Sequence, residues 1–118
     1  MNRHLRRKES KRQGKAALIQ TELLQAIKVH ANGDLSLAKD MYQKLYAKDN
    51  TNYDLVRHLG ILYQDLKDNE KAYNYFLKAI EIRPNGYEAY NNLGAIHVLN
   101  KNQSLALKCF EKSYSINP

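Results

Sequence analysis

The sequence predicts an all-α fold in which three helix-turn-helix hairpins stack on one another. Three observations carry that prediction. Residues 53–84 align on 87–118 at an offset of 34 without a gap, and nine of the thirty-two pairs are identical: Tyr53/Tyr87, Leu59/Leu93, Gly60/Gly94, Lys67/Lys101, Ala72/Ala106, Phe76/Phe110, Lys78/Lys112, Ile82/Ile116 and Pro84/Pro118. Within each copy the apolar residues recur three and four positions apart, the spacing of one face of a helix. Both of these copies close on a proline, which cannot continue a helix. A fixed period of this length is the signature of stacked supersecondary units.

The first copy, 19–52, is degenerate. Ala26 stands where Gly60 and Gly94 stand later, Ala38 where Ala72 stands, and Tyr42 where Phe76 stands; Asp34 and Lys44 match Asp68 and Lys78. Its helices are predicted over 17–31 and 34–48, with the run Gly33 to Ala38 reading as a tight turn and a helix start. In the second copy, 53–86, Val56, Leu59, Leu62, Tyr63 and Leu66 mark a helix over 53–66. The polar break Lys67-Asp68-Asn69 separates it from Ala72, Tyr73, Phe76, Ala79 and Ile80, on a helix over 69–82. Pro84 and Asn85-Gly86 then turn the chain. The third copy, 87–118, repeats this with Tyr90, Leu93, Ile96 and Val98 over 87–100, and Ala106, Phe110 and Ile116 over 103–116.

Gly60 and Gly94 sit mid-helix, where glycine costs about 1 kcal/mol relative to alanine. Accepting that cost twice implies that the space is used, at a hairpin crossing near the close end of the ~8–10 Å range. Ala72 and Ala106 are expected at the same crossing. Phe76 and Phe110 are expected to fill the volume between one hairpin and the next.

The net charge of +7 is unevenly placed. Residues 1–15 hold seven bases and one acid, whereas 16–118 hold twelve bases and eleven acids. The body is therefore close to neutral, and residues 1–18 read as a basic, flexible arm or a frayed extension of the first helix. Leu5 is the one strongly apolar residue of the first fifteen and no aromatic is there to stack on a base, which disfavours nucleic acid or an acidic membrane as partner. A single cysteine, Cys109, excludes an internal disulfide and fits a reducing compartment, the cytoplasm. No stretch reaches the roughly 18 apolar residues that span a bilayer.

The pattern Leu59-Gly60-x-x-Tyr63, Ala72, Phe76, Ala79, Pro84 closely resembles the tetratricopeptide repeat consensus. The third copy follows through Leu93-Gly94, Ala106, Phe110 and Pro118, with Tyr90 at the bulky aromatic position. It departs at His97, where the family favours tyrosine, and at Ser113. The first copy departs further, at Glu22 and Gln25. The resemblance implies a right-handed superhelix whose first helices line a concave face, with an extended peptide or partner protein held there. Arg57, His58, Ile61, Gln64, Asn91, Asn92, Ala95 and Val98 are then expected to face the groove, with Leu23, Leu24 and Ile27 in the first unit. The family's clamp for a chaperone carboxyl terminus is not matched: its places carry Leu23, Ile27, His58, Glu88 and Asn92, and Glu88 repels a carboxylate. The run Asn91-Asn92-Leu93-Gly94 instead resembles repeats in the arm of O-linked N-acetylglucosamine transferases and related bacterial proteins, where stacked asparagines hold a peptide backbone. An amide offers both donors and acceptors to any peptide unit. The plain alternative is that Asn91 and Asn92 are solvated, and His58 interrupts the ladder in the second unit.

Other chemistry finds little support. His4, His30, His58 and His97 share no metal-ligand spacing; His97 reads as a packing replacement for tyrosine and His30 as the end of the first helix. No nucleophile motif or phosphate-cradling glycine loop occurs, so neither a cofactor nor catalysis is expected within these residues. Stacks of this kind end on a polar-faced helix, and none follows the third unit. Phe110, Tyr114 and Ile116 are therefore expected to be partly uncovered, for self-association or a partner chain, or because a longer protein continues. A glycosyltransferase, sulfotransferase or methyltransferase domain would make this segment a substrate-selecting arm.

Overall fold

The computed structural model describes residues 2–118, which form six helices and, among the described residues, no strand. They are α1 (Arg3–Ala31), α2 (Leu35–Lys48), α3 (Tyr53–Asp65), α4 (Asn69–Ile82), α5 (Tyr87–Leu99) and α6 (Gln103–Ile116). Each boundary lies within one residue of its prediction, save the start of α1. There the chain takes the second of the two expected forms, an extension of the first helix: it begins at Arg3, capped by the Asn2 side chain, which accepts from the Leu5 N–H at 2.9 Å. Arginine, lysine, glutamate, glutamine and alanine are good helix formers and no proline intervenes. Residues 2–18 are all exposed, so this turn-by-turn extension rests on local propensity and no packing.

Each hairpin turns in the same way. Asp34, Asp68 and Asn102, spaced by 34, accept from the backbone N–H three residues on, at 3.1, 3.1 and 3.3 Å, and so cap α2, α4 and α6. The residue before each cap is left-handed: Gly33 at φ 90°, Lys67 at 66° and Lys101 at 60°. That conformation returns the cap N–H to the preceding helix, from Asp34 to Val29, Asp68 to Tyr63 and Asn102 to His97.

α1 pairs with α2, α3 with α4 and α5 with α6, while α2–α3 and α4–α5 contacts join the hairpins. One buried cluster runs through all three, from Ile19, Leu23 and Ala26 through Ala38, Tyr42, Leu59, Leu62, Tyr63, Ala72 and Phe76 to Leu93 and Ile96. A second, Tyr53, Val56, Ala79 and Ala89, seals the junction of the second and third hairpins. The stack is elongated, 56 × 33 × 21 Å with a radius of gyration of 16.3 Å, beyond the ~13–14 Å of a compact domain this long.

The glycine expectation needs correcting in its partner. A β-carbon at Gly60 would overlap the Phe76 ring, and one at Gly94 would lie 2.6 Å from Phe110 Cε1. The glycine of each first helix thus admits the phenylalanine of the second helix in the same hairpin. The rings meet the glycine of their own hairpin and also lie towards the next one, where they were expected: Phe76 shares a buried cluster with Leu93 and Ile96. Phe76 is fully buried, whereas Phe110 keeps 38% of its surface, since no fourth hairpin covers it in the structure.

Candidate functional site

The first helices of the hairpins lie side by side, tied by side chains that cross from one to the next. At the α1–α3 junction, Asp65 accepts from His30 Nε2–H at 2.7 Å, and the other ring nitrogen bonds the Tyr42 hydroxyl at 3.1 Å. Burial, helped by the Asp65 charge, pushes the Tyr42 hydroxyl up to about 12, so it stays neutral. His30 is therefore a bridge between two repeats, more than the helix end expected of it.

At the α3–α5 junction the crossing residues belong to the expected groove. Arg57 Nη1 donates to Asn92 Oδ1 at 3.2 Å, while its Nε is buried with no acceptor among the described residues. His58, one position on, bonds the Asp54 carbonyl through Nδ1 at 2.7 Å. A carbonyl only accepts, so Nδ1 carries the proton. Burial, chiefly, lowers the His58 pKa, the Asp54 bond opposing and the Arg57 charge adding to the effect. At neutral pH the ring is therefore uncharged, and Nε2, which no donor meets among the described residues, is a lone-pair acceptor. Asn92 complements it: with Oδ1 held by Arg57, its amide N–H groups are left to donate.

Ile61, Gln64 and Ala95 are half-buried on the same helices, and Asn91 and Val98 are exposed. In the first unit one expected groove residue is corrected. Leu23 is fully buried and belongs to the core, whereas Leu24 is exposed and Ile27 half-buried. α1 packs one turn of its apolar stripe inward at the place where α3 presents Arg57, so the polar surface begins at the second hairpin. The repeat positions Leu59, Tyr63, Ala72, Ala79, Leu93 and Ala106 are buried, and Pro84 and Pro118 are exposed beyond their helices. His97 is buried and meets the Tyr73 ring edge-on at 5.7 Å, the packing role expected of it.

One residue that orders this surface escaped the sequence reading. α5 is preceded by Gly86, whose lack of a side chain leaves the helix without its own cap. Tyr53, from the preceding repeat, supplies it: the Ala89 N–H donates to the Tyr53 hydroxyl at 3.2 Å, and that hydroxyl donates to Glu88 at 3.3 Å. A β-carbon at Gly86 would occupy the place of the Tyr53 hydroxyl. The identity Tyr53/Tyr87 was the available signal, but a buried tyrosine reads as packing until its hydroxyl is located.

Half-buried Cys109 has its thiol pushed up by burial, away from nucleophilic reactivity. Among the described residues no three histidine, cysteine or carboxylate side chains gather as metal ligands, and no helix is long and apolar enough to cross a membrane.

A tetratricopeptide repeat family model matches residues 53–118, more than half of the chain. The chain belongs to the tetratricopeptide repeat family. No curated protein matches it. Among solved structures, this tetratricopeptide repeat chain is similar to MamA, with a TM-score of 0.76 at 21% identity, covering 83% of this chain and 57% of that one. It is also similar to the second TPR of Spaghetti (RPAP3) bound to the HSP90 peptide SRMEEVD, with a TM-score of 0.77 at 18% identity over 84% of this chain and 92% of that one. The chain thus spans little more than half the length of the MamA structure. At such identities the likeness is one of fold, and the all-helical hairpin stack is that fold.

Proposed function

We propose that this tetratricopeptide repeat chain is a protein-interaction scaffold that holds an extended peptide segment along α3 and α5. The observation that carries the reading is the pairing of fixed hydrogen-bonding roles on adjacent helices: His58 Nε2 free to accept and the Asn92 amide, oriented by Arg57, free to donate. A peptide unit needs one of each. Exposed Asn91 adds an amide with both capacities, as in the asparagine-bearing arms that the sequence resembles. The HSP90 peptide on the second TPR of Spaghetti lends the general mode support; its terminal carboxylate does not transfer, because Glu88 stands where a clamp needs a base. The groove acts alike in a free-standing adaptor and in the substrate-selecting arm of a larger enzyme, and the cytoplasm suits its lone thiol.

The test is affinity. Asn91→Ala combined with Asn92→Ala should weaken a library-selected peptide by about tenfold, the order expected for lost hydrogen bonds at a half-buried site, with an unchanged circular dichroism spectrum. Unaltered affinity in a folded double variant would remove the groove from the account.

A second reading rests on its own observation. Leu107, Phe110 and Tyr114 keep 58%, 38% and 69% of their surface on the outer side of the third hairpin. That apolar face supports self-association or coverage by a partner chain.

A further inference from the structure

Arg57 is the unusual member of the groove. Its guanidinium lies half-buried between α3 and α5, yet no carboxylate forms an ion pair with it among the described residues. Glu88, on the facing helix, accepts from the Tyr53 hydroxyl. The guanidinium makes one side-chain bond, to Asn92 at 3.2 Å, and buries Nε with nothing to accept from it. A desolvated donor without an acceptor is unfavourable, because it has lost its water and gained no partner. A ligand acceptor reaching the Nε edge would relieve that loss while Nη1 keeps its bond to Asn92.

Resting on the groove reading above, we infer that Arg57 selects peptides carrying an aspartate or glutamate side chain opposite the α3–α5 junction. The chemistry is fork-shaped. A carboxylate takes two parallel N–H bonds from one edge of a guanidinium, and a charge-assisted pair of this kind is about twice as strong as a neutral bond. With Nη1 still on Asn92 and the carboxylate on the Nε/Nη2 edge, the Asn92 amide keeps its orientation and donates to the neighbouring peptide unit. His58 stays uncharged beside the site and adds no competing cation. The position differs from those of the carboxyl-terminal clamp, so an internal side chain, and not a chain end, is the ligand.

The experiment pans the whole chain against a random short-peptide library, N-acetylated and C-amidated, and then measures the selected peptide beside its acid-to-amide counterpart. The wild-type chain should enrich an acidic residue at one register and bind the acidic peptide about tenfold more tightly than the amide version. In Arg57→Gln that ratio should fall to about one, and in Arg57→Lys, which keeps the charge but loses the fork, it should be intermediate; circular dichroism verifies that each variant folds. Groove binders without acidic preference, a ratio unchanged in Arg57→Gln, or a preference that needs a free carboxyl terminus would each overturn the inference and leave the groove standing. A library that yields no groove binder would overturn both.

Discussion

A β-carbon has no room at Gly60, because the Phe76 ring already occupies its place. Alanine would gain about 1 kcal/mol in helix propensity there and lose more to overpacking, about 1–3 kcal/mol. Gly60→Ala should therefore be destabilised on balance in urea unfolding, whereas an exposed mid-helix glycine would respond in the opposite sense. The recurrence of glycine at 60 and 94 disclosed that space was being used, but not by what: phenylalanine and alanine are both repeated in the second helix, and periodicity alone cannot tell which side chain crosses over. The lysines of the hairpin turns were harder still. Gly33 announces a left-handed residue, while Lys67 and Lys101 at the same register look like ordinary polar breaks until their φ angles are seen. His58 yields a pH prediction. Its folded pKa is lowered beneath the ordinary 6.5, so the unfolded chain binds the proton more readily, and stability present above pH 6.5 is lost as pH falls through that value. Urea midpoints taken on either side of this window should drop for the wild-type chain, with a smaller drop in His58→Gln.

Helix α5 starts without a side chain of its own to satisfy its first turn, and takes its cap from the repeat before it. Tyr53→Phe keeps the ring in its buried place but removes the oxygen. The loss of a cap typically costs about 1 kcal/mol, and the effect should reach α5 specifically, read as faster hydrogen exchange at the Ala89 amide while α1 and α2 are unchanged. This bond adds a polar tie across the junction that carries Arg57 and Asn92. Element boundaries were legible because hydrophobic spacing, Pro84 and the turn residues all point to the same places. The start of α1 was not, since residues 3–18 have no apolar stripe and only helix propensity speaks for them. Nor was the groove's polar arrangement: Asn91 and Asn92 could be named, but Arg57 orienting Asn92 depends on the register of two helices thirty-five residues apart.

At the scale of the molecule, three hairpins share one core and leave two surfaces of different character. Along α3 and α5 the surface is polar with assigned donors and acceptors; at the outer side of the third hairpin it is apolar. If the second surface associates with a copy of itself, sedimentation should show concentration-dependent dimers, and Phe110→Glu should return the chain to monomer. The central claim concerns the first surface and is independent of that. Its most direct test is amide chemical-shift mapping of the labelled chain titrated with a selected peptide. Shifts should concentrate on Arg57, His58, Ile61, Asn91, Asn92 and Ala95, with α4 and α6 largely still. Shifts confined to Leu107, Phe110 and Tyr114, with α3 and α5 unmoved, would contradict the account.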